Sequence, residues 1–165
     1  MDQDLLSLVV EELSRELTGA RVERVFQGTD RDLYFLFRKD RTNFILMLSP
    51  QRSLPRMHLV SRKPHSATDP HPLVLMLRNR LVGTRLVHVR LLNKDRIVEI
   101  AFDTGANSHY LIMELTGSSS NIFFTDEELK ILAWYYQSPF RDMHLAFSCM
   151  EARTCRLATK HRICL

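Results

Sequence analysis

The sequence predicts an α+β fold built from two antiparallel four-strand units, each led by a helix, arranged as a sandwich or a barrel. Three observations carry this. Two helical stretches each end at a glycine. Strand-length apolar runs with intervening turn residues follow each of them. The two halves also match each other: "ELTGARVERVFQGTDRDLYFLF" aligns with "RLVGTRLVHVRLLNKDRIVEIAF", with Gly19 and Gly83 separated by 64 residues. Two copies are too few for a solenoid, which needs several stacked repeats.

The elements follow in order. Residues 4–18 place Leu5, Leu6, Val9, Leu13 and Leu17 on one face at 3.6-residue spacing, and Gly19 stops the helix. Strands are predicted over 21–27, 32–39, 42–49 and 56–60, with "TDRD" and "KDRT" as turns. The stretch 61–72, "SRKPHSATDPHP", contains three prolines and reads as a loop. A second helix spans 73–82 and stops at Gly83. Strands resume over 84–92, 96–103, 109–115, 121–126 and 130–136. The internal repeat therefore covers about 4–60 and 71–126. The domain is expected to span 1–136, with 137–165 as an atypical tail.

Composition narrows the class. The chain has 165 residues, 45% hydrophobic and 25% charged, which suits one globular domain with a substantial core. Its net charge of +4 is compatible with an anionic partner without demanding one. The acidic start "MDQDLL" leads into no long apolar run, so neither a secretory signal nor a membrane span is expected, and the expected setting is reducing and cytoplasmic. Cys149, Cys155 and Cys164 show no CxxC spacing, which argues against a disulfide framework and a zinc ribbon. His58, His65 and His71 flank or lie in the proline loop without a joining Cys or acid pattern, so no metal site is expected. No Gly-rich phosphate loop, triad pattern or HExxH motif is present, and the chain reads as non-enzymatic, with no cofactor.

The triplet Lys94-Asp95-Arg96 interrupts a long strand pattern at the first hairpin of the second half, where Asp30-Arg31 is its counterpart in the first. A charged hairpin tip accounts for its position. Its composition, with neither glycine nor proline in "LNKDRI", shows that ease of turning did not alone select these residues.

Five stretches in order, the opening helix into "LTGARVERVFQ", "PRMHLVSRKP", "LMLRNRLVGTRL", "NKDRIVEIAF" and "LIMELTGSSSNIFFTDE", resemble the N-terminal domain of the NFACT family. This family includes the RqcH or fibronectin-binding-protein-A-like group and its NEMF relatives. The resemblance covers about residues 1–134. It implies a β-sandwich with flanking helices, similar to the N-terminal domain of formamidopyrimidine-DNA glycosylases. Those glycosylases use a proline at position 2 with a neighbouring glutamate. Here Asp2 and Gln3 stand instead, and neither forms the iminium that the chemistry requires.

The resemblance further implies transfer-RNA binding on stalled large ribosomal subunits in support of alanine-tail addition, with Asp95 and Arg96 as the working pair. An arginine fork suits phosphate or a base edge, and a carboxylate accepts from base amino or ribose hydroxyl groups. Lys94, Arg56, Arg78, Arg80 and Arg85 are candidates for the surrounding phosphate field, with Arg52, Arg62 and Lys63 as further basic positions. In "TGSSSNIFF", Ser118 follows Gly117 where the family usually has a basic residue, which weakens this turn as an RNA contact. The older family name keeps a fibronectin- or fibrinogen-binding adhesin as an alternative, and an interaction scaffold without nucleic acid is a third. The sequence after about Trp134 departs from the family pattern.

Overall fold

The computed structural model describes residues 2–92 and 96–137. The expectations for the tail and its cysteines lie outside them. The elements run α1 (Gln3–Leu17), β1 (Arg21–Gln27), β2 (Leu33–Lys39), β3 (Thr42–Ser49), β4 (Arg56–Val60), α2 (Pro72–Leu81), β5 (Arg85–Leu92), β6 (Ile97–Asp103), β7 (Ser108–Glu114), a 3-10 turn (Gly117–Ser119), β8 (Asn121–Thr125) and β9 (Ile131–Trp134). The class is α+β, an antiparallel sheet with two helices.

Helix α1 starts where the Asp2 carboxylate accepts from the Leu5 N–H at 2.9 Å, satisfying one of the free amides of the first turn. It buries Leu6, Val10, Leu13 and Leu17 and leaves Leu5 and Leu8 exposed. Helix α2 starts with Pro72, whose missing N–H costs nothing in a first turn, and buries Leu73, Val74, Leu77 and Leu81. No helix among the described residues is long and apolar enough to cross a membrane.

The strands differ from the two expected four-strand units in one respect. They form one nine-stranded sheet in the order β4-β3-β2-β1-β5-β6-β7-β8-β9. The join between halves is narrow: β1 and β5 pair only at Arg21 and Arg85. Four backbone hydrogen bonds reinforce it, Gly19 N–H to Leu86 and Leu86 N–H to Ala20 on one side, Gly83 N–H to Val22 and Val22 N–H to Thr84 on the other, all 2.8–2.9 Å. The helices cross the join. Helix α1 packs mainly on β5 and α2 on β1, so each covers the first strand of the opposite half.

The sheet folds back at this join. Strands β2 and β6 are three strand spacings apart in the sheet order, about 14 Å if it were flat. Yet the rings of Phe35 on β2 and Phe102 on β6 stack at 6.1 Å. The inner faces of the two halves therefore meet in one apolar core that includes Val25, Phe35, Phe37, Val89, Ile100 and Phe102. Smaller clusters occupy the outer faces: Phe26, Tyr34 and Met47 on the first half, and Leu92, Ile97, Ile112, Phe123 and Leu129 on the second.

Both helix-terminal glycines are left-handed, Gly19 at φ +82° and Gly83 at φ +90°. A Cβ at Gly19 would meet nothing within 4 Å, so only the backbone resists substitution there. Gly19→Ala is expected to cost about 1–2 kcal/mol, the left-handed penalty of an L-residue, in urea unfolding. No measurable loss would contradict the left-handed conformation.

Candidate nucleic-acid interface

The two Asp-Arg hairpins occupy equivalent places in their halves. Val22 pairs with Phe37 and Val25 with Phe35, while Leu86 pairs with Phe102 and Val89 with Ile100. The offset is 64 residues between β1 and β5 and 65 between β2 and β6; the second half continues its pairing by one further pair, Leu92 with Ile97, beyond the equivalent of Gln27 with Leu33. Both first strands are also bulged at the same step, between Val22 and Arg24 and between Leu86 and His88. Leu92 pairs with Ile97, which makes 93–96 the β5–β6 connection. Asn93, Lys94 and Asp95 lie outside the described residues. Arg96 is half-buried, less exposed than a hairpin-tip charge is expected to be, and its carbonyl accepts from Leu115 N–H at 2.8 Å.

The first hairpin is tightly built. Its chain turns at Gly28, where a Cβ would lie 2.3 Å from the Asp30 Oδ1 and 2.8 Å from the Tyr34 ring, so only glycine fits. Asp30 accepts from the Asp32 N–H at 3.1 Å and from the Tyr34 hydroxyl at 2.6 Å. Arg31 takes a left-handed backbone at φ +69°. Its carbonyl accepts from Gln27 Nε2 at 3.2 Å and from the Tyr135 hydroxyl at 2.9 Å.

Beneath the hairpin lies Asp32, fully buried. Its carboxylate accepts from Ser49 Oγ at 2.6 Å, Gln51 Nε2 at 3.2 Å and Arg56 at 3.0 Å. Burial pushes the Asp32 carboxyl above its usual range; the Ser49 hydroxyl pulls it back, the Asp30 charge adds to the rise, and the Arg56 guanidinium opposes it. Burial and the hydrogen bond to Asp30 raise the Tyr34 phenol as well. Asp32 carries no motif and resembles any turn residue in the sequence. Of its polar partners, Ser49 ends β3, Gln51 lies in the β3–β4 turn and Arg56 begins β4, and that non-local gathering left no periodic signal.

Tyr135 and Tyr136 connect the two hairpin ends. The Tyr135 N–H pairs with Ile122 on β8, and its hydroxyl accepts from Gln27 Nε2 at 3.0 Å while donating to Arg31. The side chain of Asn121 holds the backbone of Tyr136 through its Oδ1 at 2.8 Å and its Nδ2 at 2.7 Å. Asn121 pairs in turn with Glu114, and Glu114 with Ile97, next to Arg96. Arg31 and the backbone at Arg96 thus both lie towards the same end of β8.

The other sequence-predicted basic residues divide. Arg56 belongs to this end, but its guanidinium is the counter-ion of Asp32 and its side chain is 29% exposed. Arg78 donates to the Val25 carbonyl at 2.8 Å, tying α2 to β1. Arg80 is exposed at the far end of α2, and Arg85 donates to the Gly19 carbonyl at 3.0 Å beside the β1–β5 join. These three do not meet Arg96 in one patch. Lys63 lies over the Phe26 ring at 5.3 Å, on the outer face of the first half. On the second half, Glu99 is buried and held by His88 at 2.9 Å and Arg90 at 2.7 Å, a pair of contacts that alternation alone did not reveal. Among the described residues, no group of three His, Cys, Asp or Glu side chains is placed to hold a metal ion; His71 instead caps α2 through Leu73 N–H and stacks on Tyr135.

The model of the NFACT N-terminal and middle domains matches residues 2–143. The chain is 28% identical over 131 residues to the Rqc2 homolog RqcH of Streptococcus pneumoniae, covering 76% of this chain and 24% of that protein. It is 30% identical over 127 residues to the human ribosome quality control complex subunit NEMF, covering 77% of this chain and 11% of NEMF. The chain thus spans a quarter or less of these relatives. Among solved structures, the N-terminal domain of fibronectin-binding protein PavA from Streptococcus pneumoniae matches with a TM-score of 0.76 at 28% identity, over 85% of this chain and 57% of that one. The fibrinogen-binding protein from Staphylococcus aureus matches with a TM-score of 0.69 at 26% identity, over 84% and 52%.

Proposed function

The chain belongs to the family of NFACT N-terminal and middle domains, and from that membership we propose that it is the transfer-RNA-binding part of a cytoplasmic ribosome quality control factor. In this reading it engages stalled large ribosomal subunits and supports alanine-tail addition, with Asp95 and Arg96 as the contact pair. The observation that carries it is the register of the second hairpin: the β5–β6 pairing ends at Leu92 and Ile97, which leaves the Asp-Arg pair in the connection between two paired strands. A contact pair in the link between two paired strands would cost less to order on an RNA loop than one in a long flexible segment. Lys94 supplies an additional charge in the same connection.

The test is a mobility shift with transfer RNA over a series of salt concentrations. Arg96→Gln is expected to leave the chain folded and to lower the salt slope by about 0.7 if one single-strand phosphate contact is lost. Unchanged RNA binding with a lowered melting temperature would make the residue structural. The names of the solved relatives support a second reading, fibronectin binding, which retention on immobilised fibronectin that is insensitive to Arg96→Gln would favour.

Two further parts of the reading concern origin and chemistry. The shared registers and left-handed glycines support a duplicated helix-plus-four-strand unit, near residues 5–60 and 71–126, of the glycosylase N-terminal type. The chain is nevertheless proposed to have no glycosylase or lyase chemistry. Asp2 serves as the cap of α1 and offers no amine to an abasic site. Borohydride is expected to trap no covalent complex with abasic-site DNA; a trapped complex would overturn this.

A further inference from the structure

We propose that the first hairpin is a second RNA contact, in which Arg31 takes a backbone phosphate and the Arg52–Tyr136 stack receives an unpaired base. The inference rests on the RNA-binding reading above and extends it to the first hairpin and the residues packed beside it.

Three observations converge on this place. The first is the backbone of Arg31. A non-glycine residue in the left-handed region carries a conformational cost, and such residues persist where the surroundings hold them. Here the hold is complete: the Arg31 N–H donates to Gly28 at 3.0 Å, and the carbonyl is taken by Gln27 and Tyr135. The side chain is left exposed, with no hydrogen-bond or ion-pair partner among the described residues. A turn that needed only this backbone shape would be better served by glycine or asparagine.

The second observation is charge. Among the described residues, the hairpin and the adjoining β3–β4 segment bring together the guanidiniums of Arg31, Arg52 and Arg56 and the carboxylates of Asp30 and Asp32. Both carboxylates face inward contacts: Asp30 holds Asp32 N–H and Tyr34, and Asp32 is buried against Ser49, Gln51 and Arg56. Arg56 is used internally, so the two outward charges are both positive. Gln51 ties the β3–β4 turn to the Asp30 carbonyl at 3.1 Å, which places Arg52 beside the hairpin.

The third observation is an aromatic plane. The Arg52 guanidinium lies over the Tyr136 ring at 4.7 Å, and Asn121 clamps the Tyr136 backbone from both sides. A tyrosine ring and a planar guanidinium are both surfaces on which proteins stack unpaired bases. With Tyr135 pinned to Arg31, the phosphate-type charge and the stacking plane are held in one rigid arrangement. A paired RNA helix hides its base faces, so the ligand class is single-stranded RNA.

The experiment uses the full 165-residue chain, an oligouridylate of about 12 nucleotides and a blunt RNA duplex. Arg31→Gly removes the charge while suiting the left-handed backbone, so it should fold at least as well as the parent. It is expected to lower the salt slope for the oligouridylate by about 0.7. Tyr136→Leu is expected to weaken oligouridylate binding roughly 5- to 150-fold, the span of one lost base stack, and to leave duplex binding unchanged. Melting of each variant separates lost binding from lost structure. If Arg96→Gln weakens binding while Arg31→Gly and Tyr136→Leu do not, the second contact is overturned and the RNA reading stands. If the parent chain binds neither probe, both fail together.

Discussion

Replacing Phe35 by alanine is expected to cost about 3–5 kcal/mol, the usual range for deleting a fully buried phenylalanine. Phe35 is 1% exposed and stacks on Phe37 at 5.9 Å along its own strand and on Phe102 at 6.1 Å across the fold. The Phe102 contact distinguishes this position from an ordinary core residue, because it joins β2 to β6 over the narrow β1–β5 join. Phe35→Leu keeps most of the volume and should cost about 1 kcal/mol. A double-mutant cycle on Phe35→Leu and Phe102→Leu should show a coupling of about 0.5–1.5 kcal/mol, the increment of an aromatic pair beyond its buried area. Urea unfolding of the four proteins supplies the numbers. Strict additivity, or a Phe35→Ala cost below about 1 kcal/mol, would mean that the halves do not pack face to face. The functional consequence follows from the same contact. Tyr135 reaches Arg31 only while the halves are folded together, so on the proposed RNA-binding reading a variant that loosens this core should lose RNA binding along with stability.

Arg56→Ala is expected to destabilise by about 2–3 kcal/mol near neutral pH. Removing one partner of a buried ion pair costs about 3–5 kcal/mol when both charges are buried. Asp32 is fully buried, but the Arg56 side chain is 29% exposed, so solvent already screens part of the pair and the lower figure applies. The pH dependence identifies the mechanism. In the parent, burial raises the folded pKa of Asp32 above its usual 3.8. The native state therefore binds more protons than the unfolded state between those two values. Stability falls as pH rises through that window and stays at its lower level above it. Arg56 is one of the groups holding that pKa down, so its removal extends the window upward. The penalty of Arg56→Ala should therefore be largest near neutral pH and shrink as the pH falls through that window, because a protonated Asp32 needs no counter-charge. In an Asp32→Asn background the same substitution should cost less. A penalty independent of pH would show that Arg56 contributes through packing of its stem. Weaker RNA binding by Arg56→Ala must be read against this loss of stability, since the residue supports the hairpin from below.

Most secondary structure was legible in the sequence because its signals are local. The helices at 4–18 and 73–82 lie one residue from Gln3–Leu17 and Pro72–Leu81, since apolar spacing and a terminal glycine mark a helix without reference to anything distant. The hairpin pairings were legible for the same reason. The last strand was not: the run 130–136 reads as seven strand residues, but β9 ends at Trp134 because the Tyr136 N–H goes to the Asn121 side chain. Of the candidate site, the Asp-Arg pair stood out by interrupting a strand pattern. Asp32 did not, since a buried aspartate and an exposed turn aspartate are the same letter.

What the sequence by itself determined is which face of each element is apolar, where each turns, and that the order of elements occurs twice. What only the tertiary structure decided is what covers each face. Helix α1 lies on β5 and α2 on β1, and the sheet folds until Phe35 reaches Phe102. Gln27 meets Tyr135, 108 residues away, and so ties the first hairpin to the end of the last strand. Periodicity reports that a side chain leaves water but carries no record of its partner, and any sufficiently apolar face satisfies the requirement. The choice among such faces is made by long-range packing, where the shapes of Phe35 and Phe102 and the hydrogen bonds of Tyr135 and Asn121 admit one arrangement.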